Sequence, residues 1–360
     1  MYGKHKRISL AAMSLAIALC FLCFITSFPK SKDSMKLTRV QTFKGVHKGF
    51  FSRDGKRIGL MSRTFVDIID TATERKLFHL EPGGVTFLGL GFSPDERTLA
   101  VAYRVESAGK TPIRVSIWDI GSGKEKLTLP VTDDDWRRVV DDLSFSSDGR
   151  FLASNLGGVA RLWNVSSGKE ERSFPPPEGF ADAEAERALL SPDGEKLAVY
   201  FTSQNVRAAH AVIIWNLATA QTKVLLTELY LDWRFSSDSN SLALTALLDK
   251  GKPTERAAAE IWNVSGTREK VIEVPREWRS AYTVAFSPDA KLLSIGGFNR
   301  FGVFSVERSE LLISETHHRT GFFQDSELPG QLNHVEFSPD GKLLLTSGAD
   351  NIVELWRFSR

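Results

Sequence analysis

The sequence predicts an all-β fold, a seven-bladed β-propeller preceded by one N-terminal hydrophobic helix. Three observations predict it: a short turn motif occurs seven times, a second mark follows each copy, and a long uncharged segment stands near the N-terminus. Repeats with a period of about 40 to 50 residues are typical of propellers, in which each repeat forms one four-stranded sheet. A chain of 360 residues is long enough for one such domain.

The turn motif is an aromatic or leucine residue followed by Ser-Xaa-Asp. Successive copies are 41, 53, 45, 45, 51 and 51 residues apart. Pro, Asp and Gly in and after this motif favour a tight turn, because Pro fixes φ, Asp bonds its own backbone and Gly tolerates positive φ. The seven copies begin at Phe51, Phe92, Phe145, Leu190, Phe235, Phe286 and Phe337.

The second mark is usually a tryptophan that ends a short apolar run, 18 to 27 residues after the start of the turn motif. Four of the seven spacings are 18 or 19 residues, so three units carry insertions. Runs that are apolar on both faces predict strands packed between two other sheets. The marks are Trp118, Trp163, Trp215, Trp262 and Trp356, with Ile69 and Phe304 in the same place.

These motifs, together with the Trp-Asp or Trp-Asn pair that ends the third strand, resemble the WD-repeat family over residues 37–360. The resemblance implies a non-catalytic platform for protein partners, with structural roles for the marking tryptophans. It also implies a buried Ser–Asp–Trp hydrogen-bond set in the last repeat, formed by Ser347, Asp350 and Trp356 without a partner histidine. The turns are similar to those of periplasmic Tol-system propellers as well, so a Tol-like envelope component is an alternative.

The two ends of the chain predict how the ring closes. The last repeat ends after its third strand, and one spare strand, residues 37–43, precedes the first repeat. Pairing that strand with the final three completes the seventh blade and removes an exposed sheet edge. We therefore expect residues 37–360 to form one closed, monomeric propeller.

Residues 8–28 contain no charged side chain and could cross a bilayer core of about 30 Å as a helix. They follow a basic tail, residues 1–7, and precede a linker, residues 29–36. The segment is longer than the apolar core of a signal peptide and ends without small residues for cleavage, which predicts a single-pass transmembrane signal-anchor. The basic tail places the propeller on the non-cytoplasmic side. The alternative is a cleaved signal peptide and an exported soluble protein.

Composition excludes several classes of protein. Residues 37–360 carry 40 Lys/Arg and 43 Asp/Glu, so the basic surplus of a nucleic-acid-binding protein is missing. Both cysteines, Cys20 and Cys23, lie in the uncharged segment, which leaves none for a disulfide or a thiolate metal site in the propeller. Enzyme signatures such as a nucleophile elbow are also missing. We predict no catalysis, cofactor or metal, and the alternative is a hydrolase or lactonase with acids in the central channel.

Antiparallel four-stranded blades divide their connections between two faces. First-to-second and third-to-fourth connections lie on one face, which we call the short-turn face. Second-to-third and fourth-to-first connections lie on the other, the long-loop face. Insertions fall on the long-loop face, and long loops on a rigid scaffold are where binding concentrates, so we predict function there. The insertions are residues 104–112, 175–186, 202–209, 248–258 and 316–331.

Two tryptophans in these connections stand beside arginines. Charged residues surround both of them in the sequence, which suggests that their side chains are exposed. Tryptophan and arginine are over-represented among interface hot spots. The alternative is that both rings pack on the start of the following strand. The candidate partner-binding residues are Trp136, Arg137, Arg138, Trp278 and Arg279.

Two further polar clusters are predicted to be ordinary surface features. His317 and His318 have no further ligands at zinc spacing, so we expect an exposed loop pair. An acidic run without the ligand spacing of a Ca²⁺ loop is expected to be a solvated charge cluster. The run consists of Asp133, Asp134, Asp135, Asp141 and Asp142.

Overall fold

A computed structural model describes residues 35–106, 112–130, 140, 142–176, 183–203, 210–227, 232–252, 254–278, 280–317 and 330–359. Within these residues, 28 strands form seven four-stranded antiparallel sheets. The predicted all-β, seven-bladed architecture is confirmed. The predicted N-terminal hydrophobic helix, residues 8–28, lies outside the described residues. No helix in the described ranges has the length and apolar character needed to span a bilayer.

Each sheet is one blade, and consecutive strands along the chain are neighbours within it. The first strand, β1 (Lys36–Lys44), belongs to the last blade. Blade 1 consists of β2 (Lys48–Phe51), β3 (Arg57–Met61), β4 (Val66–Asp70) and β5 (Lys76–Leu80). Blade 2 consists of β6 (Val85–Phe92), β7 (Thr98–Val105), β8 (Ile113–Asp119) and β9 (Lys124–Thr128). Blade 3 consists of β10 (Ser144–Phe145), β11 (Phe151–Ser154), β12 (Ala160–Asn164) and β13 (Glu170–Phe174).

The remaining blades repeat the same order of strands. Blade 4 consists of β14 (Glu184–Leu190), β15 (Lys196–Thr202), β16 (His210–Asn216) and β17 (Thr222–Thr227). Blade 5 consists of β18 (Trp233–Phe235), β19 (Ser241–Leu248), β20 (Arg256–Asn263) and β21 (Arg268–Glu273). Blade 6 consists of β22 (Thr283–Phe286), β23 (Leu292–Gly296), β24 (Arg300–Ser305) and β25 (Glu310–Thr316). Blade 7 consists of β26 (Leu332–Phe337), β27 (Leu343–Gly348), β28 (Ile352–Ser359) and β1.

Strand β1 closes the ring. It pairs antiparallel with β28 from Lys36 opposite Ser359 to Lys44 opposite Ile352. Blade 7 therefore has four strands although the chain supplies only three of them at its C-terminal end. The pairing covers the edge that β28 would otherwise expose, which is how a propeller avoids a long open sheet edge.

The turn motif has the same hydrogen bonds in every blade. In blade 7, the Ser338 hydroxyl donates to Asp340 at 2.7 Å and accepts the N–H of Leu343 at 2.9 Å. The fifth residue of each motif has positive φ, including three that are not glycine: Glu96, Ser239 and Ala290. Because side-chain bonds close the turn on both sides, this conformation is kept even where glycine is absent.

The two faces differ in the length of their connections. First-to-second connections are five residues long in all seven blades, and third-to-fourth connections are four or five. On the long-loop face the connections range from three to 15 residues. Two of them contain short 3₁₀ turns, Leu156–Gly158 and Arg276–Trp278. A rigid ring of sheets thus carries one uniform face and one variable face.

Candidate functional site

One position of the repeat forms a polar ring at the centre of the propeller. It lies three residues before the aromatic or leucine residue of each turn motif, on or next to the innermost strand of the blade. Since the motif has the same register in every blade, these residues lie at one level around the axis. In blade order the polar ring consists of Lys48, Gly89, Asp142, Arg187, Asp232, Thr283 and His334.

Contacts between non-neighbouring blades show that these side chains meet across the axis. Lys48 of blade 1 reaches Asp142 next to the inner strand of blade 3, with 3.5 Å between Nζ and Oδ1. Blade 2 contributes Gly89 at this level, which has no side chain to stand between them. Arg234 of blade 5 lies 3.6 Å from Asp142 and 3.2 Å from Nδ1 of His334 in blade 7. Blades two apart in a ring can touch only near its centre, so the side chains cross the channel.

Arg187 stands at the middle of the ion pairs. Its guanidinium contacts Asp142 on one side and Asp232 on the other. Asp232 also accepts hydrogen bonds from the Thr283 hydroxyl at 2.7 Å and from the N–H of Val284 at 3.0 Å. The network therefore links the inner strands of blades 3, 4, 5 and 6 in series.

Burial and neighbouring charges set the protonation states of the network. Burial would raise the pKa of Asp142, but Arg187 and Lys48 outweigh it and hold that pKa well below its usual range. Burial, followed by the charges of Lys48 and Arg187, lowers the pKa of His334 to about 3. Burial raises the pKa of Glu336 to about 8, and the charge of Asp142 acts in the same direction. At neutral pH, His334 is uncharged and most Glu336 is protonated.

The pair His334 and Glu336 places a carboxyl group beside an imidazole. Nε2 of His334 lies 3.5 Å from Oε2 of Glu336, and 33% of the Glu336 side chain is exposed. A carboxyl group with a raised pKa can donate a proton near neutral pH, whereas an imidazole with a pKa of about 3 is a weak base. Glu336 is therefore the member of the pair that could act as an acid, as the hydrolase alternative requires in the channel.

The expectation that the acidic run is solvated is wrong for Asp142. This residue is 8% exposed and is held by Lys48, Arg187 and Arg234, because its register places it in the polar ring. The repeat register itself could have revealed this: four of its seven copies carry Lys, Arg or Asp at the ring position. The other members of the run lie outside the described residues: Asp133, Asp134, Asp135 and Asp141.

Of the five predicted partner-binding residues, Trp278 is within the described part of the chain. It is 2% exposed, and its ring packs edge-on against Phe304 with 6.0 Å between centroids. A Cβ at position 302 would lie 2.7 Å from Cη2 of Trp278, so Gly302 makes room for the indole. The expectation of an exposed ring is wrong here, and the packing alternative holds. The other four lie outside the described residues: Trp136, Arg137, Arg138 and Arg279.

Beside this indole, blade 6 carries a groove of about 630 Å³ on the long-loop face. One side of the groove is the 3₁₀ turn Arg276–Trp278, and the other is the connection from β23 to β24. Phe298, in that connection, is 38% exposed although it is a large apolar residue. The polar and aromatic lining includes Glu277, Ser280, Tyr282, Asn299, Arg300 and Thr316.

The expectation that His317 is exposed is also wrong. It is 1% exposed, and its Nδ1 lies 3.1 Å from the hydroxyl oxygen of Thr346. The same hydroxyl accepts the indole N–H of Trp356 at 3.0 Å. Nε2 of His317 lies 3.5 Å from Oδ1 of Asp350. An Asp–His–Thr–Trp chain therefore runs through blade 7, while His318 lies outside the described residues.

Ser347, expected in this set, does not belong to it. Successive side chains of a strand point to opposite faces, so Thr346 faces Trp356 while Ser347 points the other way. The Ser347 hydroxyl accepts the N–H of Gly49 in blade 1 at 3.1 Å. Sequence reasoning missed the histidine because His317 is 29 residues before Thr346, across the insertion between β25 and β26.

The comparison with known families matches this same blade. The sequence model of the family described as WD domain, G-beta repeat, covers residues 323–357, which contain Thr346, Asp350 and Trp356. The chain is a seven-bladed β-propeller whose last blade matches the WD repeat. No curated protein is significantly similar to it.

Blades 2 to 5 keep the tryptophan but place it in different surroundings, and blades 1 and 6 carry Ile69 and Phe304 instead. Trp163 donates to the hydroxyl of Ser154 on the neighbouring strand at 3.0 Å. Trp118 and Trp262 donate to acceptors two residues earlier on their own strands. Trp215 is 7% exposed and packs in the core of blade 4. Among the described residues, only blade 7 has the complete chain from aspartate to tryptophan.

A second carboxylate makes His317 a cation. Oε2 of Glu354, whose side chain is fully buried, lies 3.0 Å from Nδ1 of His317. Burial opposes protonation, but the neighbouring carboxylates of Asp350 and Glu354 prevail and raise the pKa of His317 to about 9. Arg39 of the closing strand binds the other oxygen of Glu354 at 2.7 Å. His317 is thereby connected to ring closure.

We expect the propeller to become less stable as pH rises from about 6.5 to 9, because His317 loses its proton in this interval. The folded-state pKa is about 9, above the value of about 6.5 in an unfolded chain. The resulting stabilisation is complete below pH 6.5 and lost as pH rises through 9, and it amounts to about 3 kcal/mol. Urea unfolding of the protein and its His317→Gln variant across this interval measures it. Equal pH slopes for the two proteins would contradict the assignment.

Proposed function

We propose that this WD-repeat propeller is a non-catalytic platform that binds a protein partner through its long-loop face. Propellers of this family generally mediate protein interactions. The difference between the two faces carries the proposal: the first-to-second turns are five residues long in every blade, whereas connections on the opposite face range from three to 15. Variable loops on a rigid scaffold are where binding concentrates.

Site-specific photo-crosslinking tests which face binds the partner. A photoreactive phenylalanine analogue replaces exposed residues of the long-loop face, Glu106, Lys252 or Asn333, in the full-length protein within cells. We expect these positions to give discrete crosslinked species of higher mass. Matched exposed positions of the short-turn face should give none at comparable yield: Arg75, Lys124 and Lys291. Crosslinks from the short-turn positions alone would contradict the proposal.

We also propose that residues 8–28 tether the propeller to a membrane. Their uncharged length supports this, and the fold indicates an orientation. Lys36, where β1 begins, lies opposite Ser359 at the short-turn face. A linker of residues 29–35 reaches roughly 25 Å at most, so the short-turn face would lie towards the membrane and the long-loop face away from it. Recovery of the full-length protein only in the soluble fraction would contradict the tether.

A second candidate function is hydrolysis of an ester or lactone in the channel. Glu336 favours it, because this carboxyl group has a raised pKa, lies 3.5 Å from His334 and could act as a general acid. It is the weaker candidate, since ring side chains cross the axis beside this pair and restrict access to it. Turnover of aryl-ester or lactone substrates that is lost in a folded Glu336→Gln variant would establish it.

A further inference from the structure

The groove on blade 6 is held in shape by its own backbone. The N–H of Gly297 bonds the carbonyl of Arg300 at 2.9 Å, and the N–H of His317 bonds the carbonyl of Asn299 at 3.0 Å. Beneath the groove, the buried ring of Trp278 packs into the blade. A binding surface that is already ordered loses little conformational entropy when a ligand arrives.

The groove presents an apolar surface and a tyrosine hydroxyl together. Phe298 keeps 38% of its surface exposed in the middle of a three-residue connection. Tyr282, which is half-buried, lines the groove, and its hydroxyl makes no hydrogen bond to any described residue. Tyrosine offers a large rigid contact area and a polar end, and for that reason it is enriched in interfaces.

Two arginines supply positive charge at this place. Arg300 lines the groove, and Arg276 is exposed on the 3₁₀ turn beside it. Neither side chain forms an ion pair with another described residue. Glu277, which is exposed on the same turn, is an acid in the lining and offsets one of them. Guanidinium groups with no carboxylate partner among the described residues are suited to pair with one supplied by a ligand.

We infer that this groove binds an extended segment of a protein partner in which an aspartate or glutamate stands next to a large apolar side chain. The apolar side chain packs on Phe298 and above Trp278, and the carboxylate pairs with Arg300. Arg276 adds attraction at longer range. The inference rests on the proposed function, because it gives the partner chemistry for one part of the long-loop face.

Peptide selection on the full-length protein in detergent micelles tests the inference. A displayed library of random dodecapeptides is selected on the protein, and the enriched peptides are synthesised with a fluorescent label. We expect a consensus with an acidic residue next to Leu, Ile, Phe or Trp. Enrichment of basic or purely apolar sequences, or no enrichment, would overturn the inference.

Matched variants then locate the binding. Arg300→Glu and Phe298→Ser should each weaken binding of the selected peptide about tenfold or more, as for hot-spot residues. A peptide whose acid is changed to lysine should bind Arg300→Glu better than it binds the unmodified protein. Arg75→Glu and Leu77→Ser, at exposed positions of blade 1, should change affinity less than about twofold. Circular dichroism checks that every variant is folded.

The peptide and crosslinking experiments together distinguish a failure of the groove assignment from a failure of the proposed platform. Unchanged peptide affinity in Arg300→Glu and Phe298→Ser would overturn the groove assignment, even if crosslinks still map to the long-loop face. Crosslinks from the short-turn face alone would instead overturn the platform, whatever peptide the groove selects. The two failures are therefore distinguishable.

Discussion

Replacing Arg187 with methionine should lower the free energy of unfolding by about 3 to 5 kcal/mol. The guanidinium contacts Asp142 and Asp232, whose side chains are 10% and 5% exposed. Methionine fills much of the same space but removes one of the two cations, Arg187 and Arg234, that contact both carboxylates in the centre of the ring. The loss of a partner from a buried ion pair costs far more than the pair's net contribution, because the remaining charge stays buried.

Urea unfolding followed by tryptophan fluorescence measures this loss, and Arg150→Met is the matched control. Arg150 also pairs with an aspartate, Asp148, but its side chain is 73% exposed. Exposed ion pairs contribute about 0 to 1 kcal/mol, so the control should stay within that range. Arg187→Lys should give an intermediate loss, because an ammonium group cannot present the guanidinium fork to two carboxylates at once. Equal stability of Arg187→Met and Arg150→Met would show that the network does not hold the blades together.

Replacing His317 with leucine should have a similarly large effect, a loss of about 3 to 5 kcal/mol below pH 7. The imidazolium lies between Asp350 and Glu354, whose side chains are 4% and 0% exposed. Leucine would leave both carboxylates buried and remove the partner of Thr346. Arg39 reaches Glu354 from the closing strand, so the loss should appear in ring closure as well as in blade 7.

His79→Leu is the matched control for this second prediction. His79 also lies between two carboxylates, 2.6 Å from Asp67 and 3.4 Å from Glu81, but its side chain is 42% exposed. Water already solvates such a cluster, so the expected loss is below about 1 kcal/mol. Protease digestion within β1 reports closure directly: cleavage there should accelerate in His317→Leu and stay slow in His79→Leu. A stable His317→Leu protein with a protected β1 would contradict the role assigned to the histidine.

The polar ring and the buried contacts of His317 both affect how rigid the proposed binding platform is. The polar ring ties together the inner strands from which the fourth-to-first connections of the long-loop face lead. The histidine chain fixes the blade in which the ring closes. A face that binds through several blades requires those blades to keep their relative positions. We therefore expect variants of either network to weaken partner binding only to the extent that they loosen the ring.

Local patterns predicted the architecture because it repeats. The turn motif specifies its own hydrogen bonds within five residues, as Ser338, Asp340 and Leu343 show. The seven copies of the motif therefore predicted seven blades. The spare strand before the first copy predicted the closure seen between β1 and β28. The anchor at residues 8–28 stays a prediction from the sequence.

Local sequence patterns could not predict contacts between residues that are far apart in the chain. Asp142 looked like one more acid in a charged run, and His317 like half of an exposed pair, because each was judged from its neighbours in sequence. Trp278 looked exposed for the same reason, although Gly302 on another strand makes room for its ring. Ser347 and Thr346 are neighbours in the sequence, and only the folded blade shows that Thr346 is the one that bonds the tryptophan.

Sequence patterns alone thus settle how many blades there are, where they turn and which face varies, since all three depend on residues close together in the chain. Which side chains become buried partners is settled by ring closure. Lys48 and Asp142 are 94 residues apart, and Arg234 and His334 are 100 apart. Those pairs form only because seven sheets of equal register bring their inner strands to one axis, where low solvent exposure turns scattered charges into a network.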